Sequence, residues 1–163
     1  MKECRILIVA HAPLASALRS CGLHVFADAG DALAALDVRP EQDVQTVLRQ
    51  AAQQQNELTE KLGQQQARSP LLILADVFGA TPANAAQQLL AWYGAQGIPA
   101  RLLAGANVPM LLRALTYRKL SLDDVAERAL SGGVNGVMAV SGQGAQQHRH
   151  KTPHDPAQHD HQQ

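Results

Sequence analysis

His11 stands directly after a short apolar run, residues 5–10 (RILIVA), and Asp76 directly after another, residues 71–75 (LLILA). A histidine beside a carboxylate is a unit for group transfer. The carboxylate accepts a hydrogen bond from one ring nitrogen, fixes the tautomer and stabilises the cation formed when the other nitrogen is acylated or phosphorylated. After Asp76 come Val77, Phe78, Gly79, Ala80, Thr81 and Pro82. Gly79 permits a tight turn. Thr81-Pro82 has the cap-then-proline form of a helix start, whose first amides lack internal partners and favour an anion such as phosphate. The Thr81 hydroxyl offers a further donor to the same oxygens. A third segment, Gly105-Ala106-Asn107-Val108-Pro109-Met110, follows another strand-like run. Each feature alone is ordinary, because strand-end histidines, turn-capping aspartates and strand-to-helix loops are common in structural roles. Their convergence at one end of one sheet would join a nucleophile, an orienting group and an anion cradle.

Competing chemistries lack their residues. There is no G-x-x-x-x-G-K-[ST] for nucleotide phosphates, no complete G-x-G-x-x-G and no H-E-x-x-H. Ser141 lies between Ala139 and Gln143, where a nucleophile elbow needs glycines. Aromatic residues make up 3% of the chain, too few for a stacking platform for sugars or bases. A phosphoryl acceptor without a nucleotide site takes its phosphoryl group from another protein, and no cofactor is expected.

The elements that must position these residues read as alternating strands and helices. Residues 5–10, 33–38, 71–75 and 100–104 are strand-like. Leu14, Leu18, Cys21 and Val25 recur at helical spacing after Pro13, which suits a first helical turn. Val44, Val47, Leu48, Ala51, Leu58 and Leu62 mark an amphipathic helix, with Gln53–55 and Gln64–66 on its solvated face and in the loop after it. Further helices begin at Thr81 and Pro109, and Ser121 with Asp124 resembles a capping box for one more. Residues 136–140 (GVMAV) are a fifth strand or an exchanged edge. The order β-α-β-α-β-α-β-α-α-β calls for an α/β fold: an open, doubly wound, mainly parallel sheet with helices on both faces. Ligands sit beyond the carboxyl ends of such strands. Strands one and three can be central neighbours there, which brings His11 within reach of Asp76.

Composition limits the partners. In 163 residues, 14 Lys plus Arg cancel 14 Asp plus Glu. Zero net charge without a basic block gives no footing for nucleic acid. No apolar run approaches the roughly 18 residues of a membrane span, so the protein is not expected to be membrane-embedded, and the start lacks a signal-peptide layout. Cys4 and Cys21 have no metal-type spacing and read as reduced thiols, which with the missing signal gives a cytoplasmic expectation. The domain is expected over residues 1–140. Residues 141–163 contain no large apolar residue and read as a disordered His/Gln-rich tail carrying His148, His150, His154, His159 and His161. Such tracts bind zinc, copper or nickel in some proteins, but without supporting groups around them they bind weakly, and no metal site is assigned.

IVAH, DVFGATPAN and GANVPMLL, in this order and spacing, resemble the three signature segments of the enzyme IIA domain of the mannose-type bacterial phosphotransferase system. The resemblance spans residues 2–140. It implies an open α/β sheet with one strand exchanged in a homodimer. It also implies that His11 is the phosphorylated residue, taking its phosphoryl group from the phosphocarrier HPr and passing it to an enzyme IIB in sugar uptake, with Asp76 as its paired carboxylate. Gly79, Ala80 and Thr81 then match the phosphate-facing loop, and Asn107, Pro109 and Met110 match the segment flanking the site. Two departures are visible. Ala80 replaces a second glycine of the family loop, at a cost of about 1 kcal/mol if the backbone there has positive φ. Ala12-Pro13 follows the histidine where glycine often stands. The related phosphoryl-transfer subunit of dihydroxyacetone kinase shares the fold and the histidine but typically lacks the D-x-F-G-x-T-P-x-N string. The alternative function is a stand-alone regulatory IIA protein whose phosphorylation state controls a partner, as the sequence carries no fused IIB domain. A flavodoxin-like domain with a metal-binding tail is a third reading, and it predicts no phosphorylation.

Overall fold

The computed structural model describes residues 2–140. The expected tail from Ser141, with its histidines, lies outside the described residues. Strands β1 (Arg5–His11), β2 (Leu33–Val38), β3 (Leu71–Ala75) and β4 (Ala100–Ala104) form one parallel sheet in the order β2-β1-β3-β4. Parallel neighbours need crossovers, supplied here by α1 (Leu14–Val25), α2 (Val44–Leu62) with the single turn α3 (Gln64–Ala67), and α4 (Thr81–Ala95). Helices α5 (Val108–Thr116) and α6 (Leu122–Asn135) follow β4. The chain therefore adopts the expected α/β open sheet. β3 is apolar throughout and β1 is apolar from Ile6 to Ala10, both buried on both faces, so they take the centre, while β4 is only half-buried and takes an edge.

Strand alternation divides the core in two. Ile6, Ile8, Leu72 and Leu74 face α1, α5 and α6, with Leu111, Leu115 and Val125. Leu7, Val9, Leu36, Val38 and Ile73 face α2 and α4, with Val47, Leu89 and Tyr93. By parity, Arg5 and His11 belong to the α2/α4 face, at opposite ends of β1. Among the described residues no helix is long and apolar enough to cross a membrane. Both cysteines are free; Cys4 is buried, which pushes its thiol up to about 11, and Cys21 is exposed.

Several expectations need correction. The apolar stripe expected on α1 is rotated: Ala15, Leu18 and Gly22 face the core, while Leu14, Cys21 and Val25 are exposed. Close packing explains it, since a Cβ on Gly22 would meet Leu33 at 2.9 Å and Leu115 at 3.0 Å. Small residues mark that contact, and a search for large apolar ones misses it. Pro13 is the cap residue of α1 and lies outside its first turn. Gln54 and Gln55 are half-buried and bonded to the Ala35 and Ala67 carbonyls, and Gln64–Ala67 is a helical turn where a loop was expected. The fifth strand expected over residues 136–140 does not form in this single chain: Gly136 ends α6, and Val137, Met138 and Val140 are largely exposed.

Three glycines seat α6 on α5. A Cβ at Gly132 would lie 2.3 Å from Arg113 Cγ, and one at Gly133 2.7 Å from Met110 Cε. At Gly136, which ends α6, it would lie 2.4 Å from two atoms of the Pro109 ring. The methionine tip can swing aside; the base of the Arg113 side chain has little room to move, and the proline ring has none. Gly136→Ala should therefore destabilise the fold by about 1–3 kcal/mol in urea unfolding, despite the better helix propensity of alanine. Gly30→Ala, whose Cβ meets nothing, should stay within about 0.5 kcal/mol of the parent.

Candidate functional site

The ladder itself delivers His11 to Asp76. Along β1 the N–H groups alternate between neighbours: Arg5 donates to the Pro70 carbonyl beside β3, and Ile6 to the Ala32 carbonyl beside β2. At the other end Ala12 donates to Val38, on the β2 side. The His11 N–H therefore points toward β3, whose paired register has ended at Val9 opposite Ala75. The Asp76 side chain takes the next place in the ladder, its Oδ2 accepting the His11 N–H at 2.9 Å. The same oxygen lies 2.7 Å from His11 Nδ1. An ionised carboxylate has no proton to give, so Nδ1 carries the hydrogen and donates it. Nε2 is left with its lone pair. The His11 side chain is 52% exposed and that of Asp76 only 9%.

Asp76 is held by three donors. Its Oδ1 accepts the Val77 N–H at 2.8 Å, beside the two bonds from His11 on Oδ2. Burial raises the pKa of its carboxyl, but these three hydrogen bonds and the His11 charge outweigh burial and hold it below the usual carboxylate range. The carboxylate is thus ionised and oriented at neutral pH.

The loop after Asp76 makes its tight turn at Gly79, φ +88°. Ala80 is extended, φ −95° and ψ 169°, so its methyl costs nothing there, and the positive φ considered for this position does not arise. The expected cap role of Thr81 is also corrected. Ala80 is the cap residue, and the helix start has no side-chain cap bond. Thr81 and Pro82 open the helix itself, leaving the first amides of α4 without a competing side chain on the face of the sheet that His11 shares.

The third segment is placed differently. Asn107 caps α5, accepting the Met110 N–H at 3.0 Å and donating to the Gly105 and Gly133 carbonyls. Met110 is buried in the opposite core, and Pro109 lies under Gly136. Among the described residues no hydrogen bond joins Asn107, Pro109 or Met110 to His11 or Asp76. Asp37, at the end of β2, was missed by sequence reasoning. It accepts the Ser16 N–H at 3.1 Å and the Ser16 hydroxyl, capping α1 from a neighbouring strand. A carboxylate at a strand's carboxyl end was the available signal.

The family described as PTS system fructose IIA component matches residues 5–130. Among solved structures, the mannose/sorbose specific IIA subunit of the phosphotransferase system from Enterococcus faecalis is similar at 23% identity and a TM-score of 0.63, over 86% of this chain and 96% of that one. The phosphotransferase system component EIIA from Streptococcus agalactiae is similar at 20% identity and a TM-score of 0.62, over 83% and 96%. A sigma-54 interaction domain protein from Enterococcus faecalis has a TM-score of 0.62 at 15% identity, over 83% and 93%. No curated protein matches the sequence significantly. At these identities the structural likenesses establish the fold.

A carboxyl held below its ordinary pKa adds stability that is complete above about pH 4 and is lost as the pH falls through the lowered folded value. Asp76→Asn should cost about 1–3 kcal/mol at pH 7. In urea melts the gap from the parent should narrow as the pH falls below about 4. A gap that stays constant from pH 7 to about pH 3 would show that the Asp76 charge contributes nothing to the fold.

Proposed function

The chain belongs to the family of PTS system fructose IIA components, and on that premise we propose that it is a phosphocarrier whose acceptor is Nε2 of His11. The observation that carries the reading is the 2.7 Å contact between His11 Nδ1 and Asp76 Oδ2. The Nε2 lone pair attacks the phosphorus held on a histidine nitrogen of HPr. The donor's P–N bond breaks as the new P–Nε2 bond forms, and its electron pair returns to the donor ring. The Nδ1 hydrogen stays on the Asp76 contact, where the carboxylate offsets the positive charge of the phosphorylated imidazole. Passage to an enzyme IIB in sugar uptake repeats the step with His11 as the donor. Gly79, Ala80 and Thr81 lead into the uncapped start of α4, which suits the phosphoryl oxygens. The exposed Val77 and Phe78 beside them suit a protein donor.

A regulatory role, in which the phosphorylation state of His11 controls a partner, uses the same chemistry. The likeness in fold to a sigma-54 interaction domain protein is the observation that favours it. Transfer onward separates the two readings, since only a transport component hands its phosphoryl group efficiently to a mannose-type enzyme IIB.

We further propose a homodimer in a cytoplasmic setting, with residues 137–140 pairing on the partner's sheet. β4 has a neighbour only on the β3 side. An apolar trough of about 530 Å³ that includes Phe78, Ala83, Leu90, Leu102 and Ala104 runs beside it. Val137 is 79% exposed on the single chain. Pairing would cover both an open strand edge and an exposed apolar segment.

Incubation with phosphoenolpyruvate, enzyme I and HPr should add one phosphoryl group by intact mass, acid-labile and alkali-stable. His11→Ala should abolish it, and Asp76→Asn should slow it ~10²-fold or more. Full phosphorylation of His11→Ala would overturn the assignment. Sedimentation at micromolar concentration should give about twice the 17.4 kDa chain mass. A monomer that still accepts phosphate would remove the exchanged strand and leave His11 in place.

A further inference from the structure

The two buried guanidiniums differ in how they are neutralised. Arg118, 7% exposed, pairs with Glu3 and Asp28, donates to the Leu115 carbonyl at 2.9 Å and lies over the Phe26 ring. Arg5, 9% exposed at the amino end of β1, has no carboxylate partner among the described residues. Its Nη1 donates to the Gln55 side-chain oxygen at 3.1 Å. Nε and Nη2 are both shut off from water and have no hydrogen-bond partner among the described residues. An arginine cannot shed its charge at working pH, so burial leaves a cation with two unmatched donors. Burial pulls its pKa below the ordinary guanidinium value, with Tyr93 and Cys4 opposing.

The unmatched pair has a specific shape. Nε–H and Nη2–H lie on one edge of the guanidinium plane, run nearly parallel and match two oxygens of a single carboxylate or phosphate. Arg5 also forms part of the wall of a cleft of about 450 Å³ between β2 and α2, with Arg19, Gln54, Leu58, Lys61 and Tyr93. That volume suits a small organic molecule. Two carboxylates share this lining, Asp31 paired with Lys61 of the same wall and Glu57 accepting from Gln53, so the charges are three cations, Arg5, Arg19 and Lys61, against two anions.

We propose that this cleft binds a small organic anion, a carboxylate or a phosphate monoester, which draws the Nε and Nη2 edge of Arg5 out of the wall and is held side-on by it. Arg5 and His11 lie on the same face of β1 but six residues apart, or roughly 20 Å at about 3.3 Å per residue. The site is therefore separate from the phosphoryl-accepting end and does not depend on the phosphocarrier reading.

The test is a titration of the full chain, followed through its arginine Nε–H correlations by NMR, with inorganic phosphate and with acetate in separate series. The Arg5 signal is the one missing from Arg5→Met, and it should move saturably with at least one probe. Movement with phosphate alone assigns the monoester class, and movement with acetate alone the carboxylate class. In anion-poor buffer Arg5→Met, which removes the uncompensated charge, should melt several degrees above the parent and gain nothing from the active probe. Arg5→Lys keeps the charge but loses the side-on edge. It should bind at least tenfold more weakly, and it identifies the same signal if the methionine variant folds poorly. His11→Ala should bind like the parent, which separates this cleft from the start of α4. An Arg5 signal that neither probe moves at tens of millimolar, or stabilisation that survives in Arg5→Met, would overturn the proposal.

Discussion

The parallel pairing of β1 with β3 determines where the two reactive side chains can stand. Neighbouring parallel strands have their carboxyl ends on the same edge of the sheet, and their backbone donors point across the gap between them. Once β3 leaves the ladder after Ala75, the next β1 donor needs an acceptor, and Asp76 Oδ2 meets that need. The same oxygen then holds the imidazole. One carboxylate oxygen thus finishes the sheet and orients the nucleophile, so strand register and histidine tautomer are set together. A slip of one residue in β1 would turn His11 to the other face and break both contacts.

The surrounding structure keeps that register fixed. β1 is buried on both faces, and any displacement would have to disturb two packed layers at once. Asp37 ties the start of α1 to the end of β2, which steadies the chain just after His11. On the far side Arg118 joins Glu3, Asp28 and the Leu115 carbonyl, securing the segment that leads into β1. The glycine seam of α6 presses on Pro109 and Met110, so the segment after β4 supports the fold at the residues that the family pattern draws attention to.

Much of this was legible in the sequence, for identifiable reasons. Strands β2, β3 and β4 match their expected bounds, and for β3 and β4 the reason is plain: each starts after a proline and stops at Asp76 or Gly105. The His11–Asp76 pair followed from strand order, since the first and third strands, which carry the most continuous apolar runs, can be neighbours at the centre of a parallel sheet. What could not be read was contact between small groups. The inward face of α1 depends on Gly22 against Leu33 and Leu115, which apolar periodicity does not register. The cap of α1 comes from Asp37, twenty-one residues away from Ser16, and no local motif announces it. The true cap of α4 is an alanine, because the helix begins one residue earlier than the threonine-proline pattern indicates. Gln55 resembled one member of a solvated glutamine cluster until its partners, Arg5 and Ala67, were in place.

The loop beside His11 concentrates its whole conformational demand in Gly79, since Ala80 next to it is extended. Two adjacent positions are therefore under opposite kinds of pressure. Replacing Gly79 with any L-residue forces a left-handed backbone onto a side chain, whereas position 80 accepts any residue whose bulk points clear of the histidine. A double-glycine version of this turn would carry an extra flexible joint in the unfolded chain, with entropy to lose on folding and no geometric need for it. The alanine removes that surplus freedom, leaving a stiffer approach to α4 from the same backbone path.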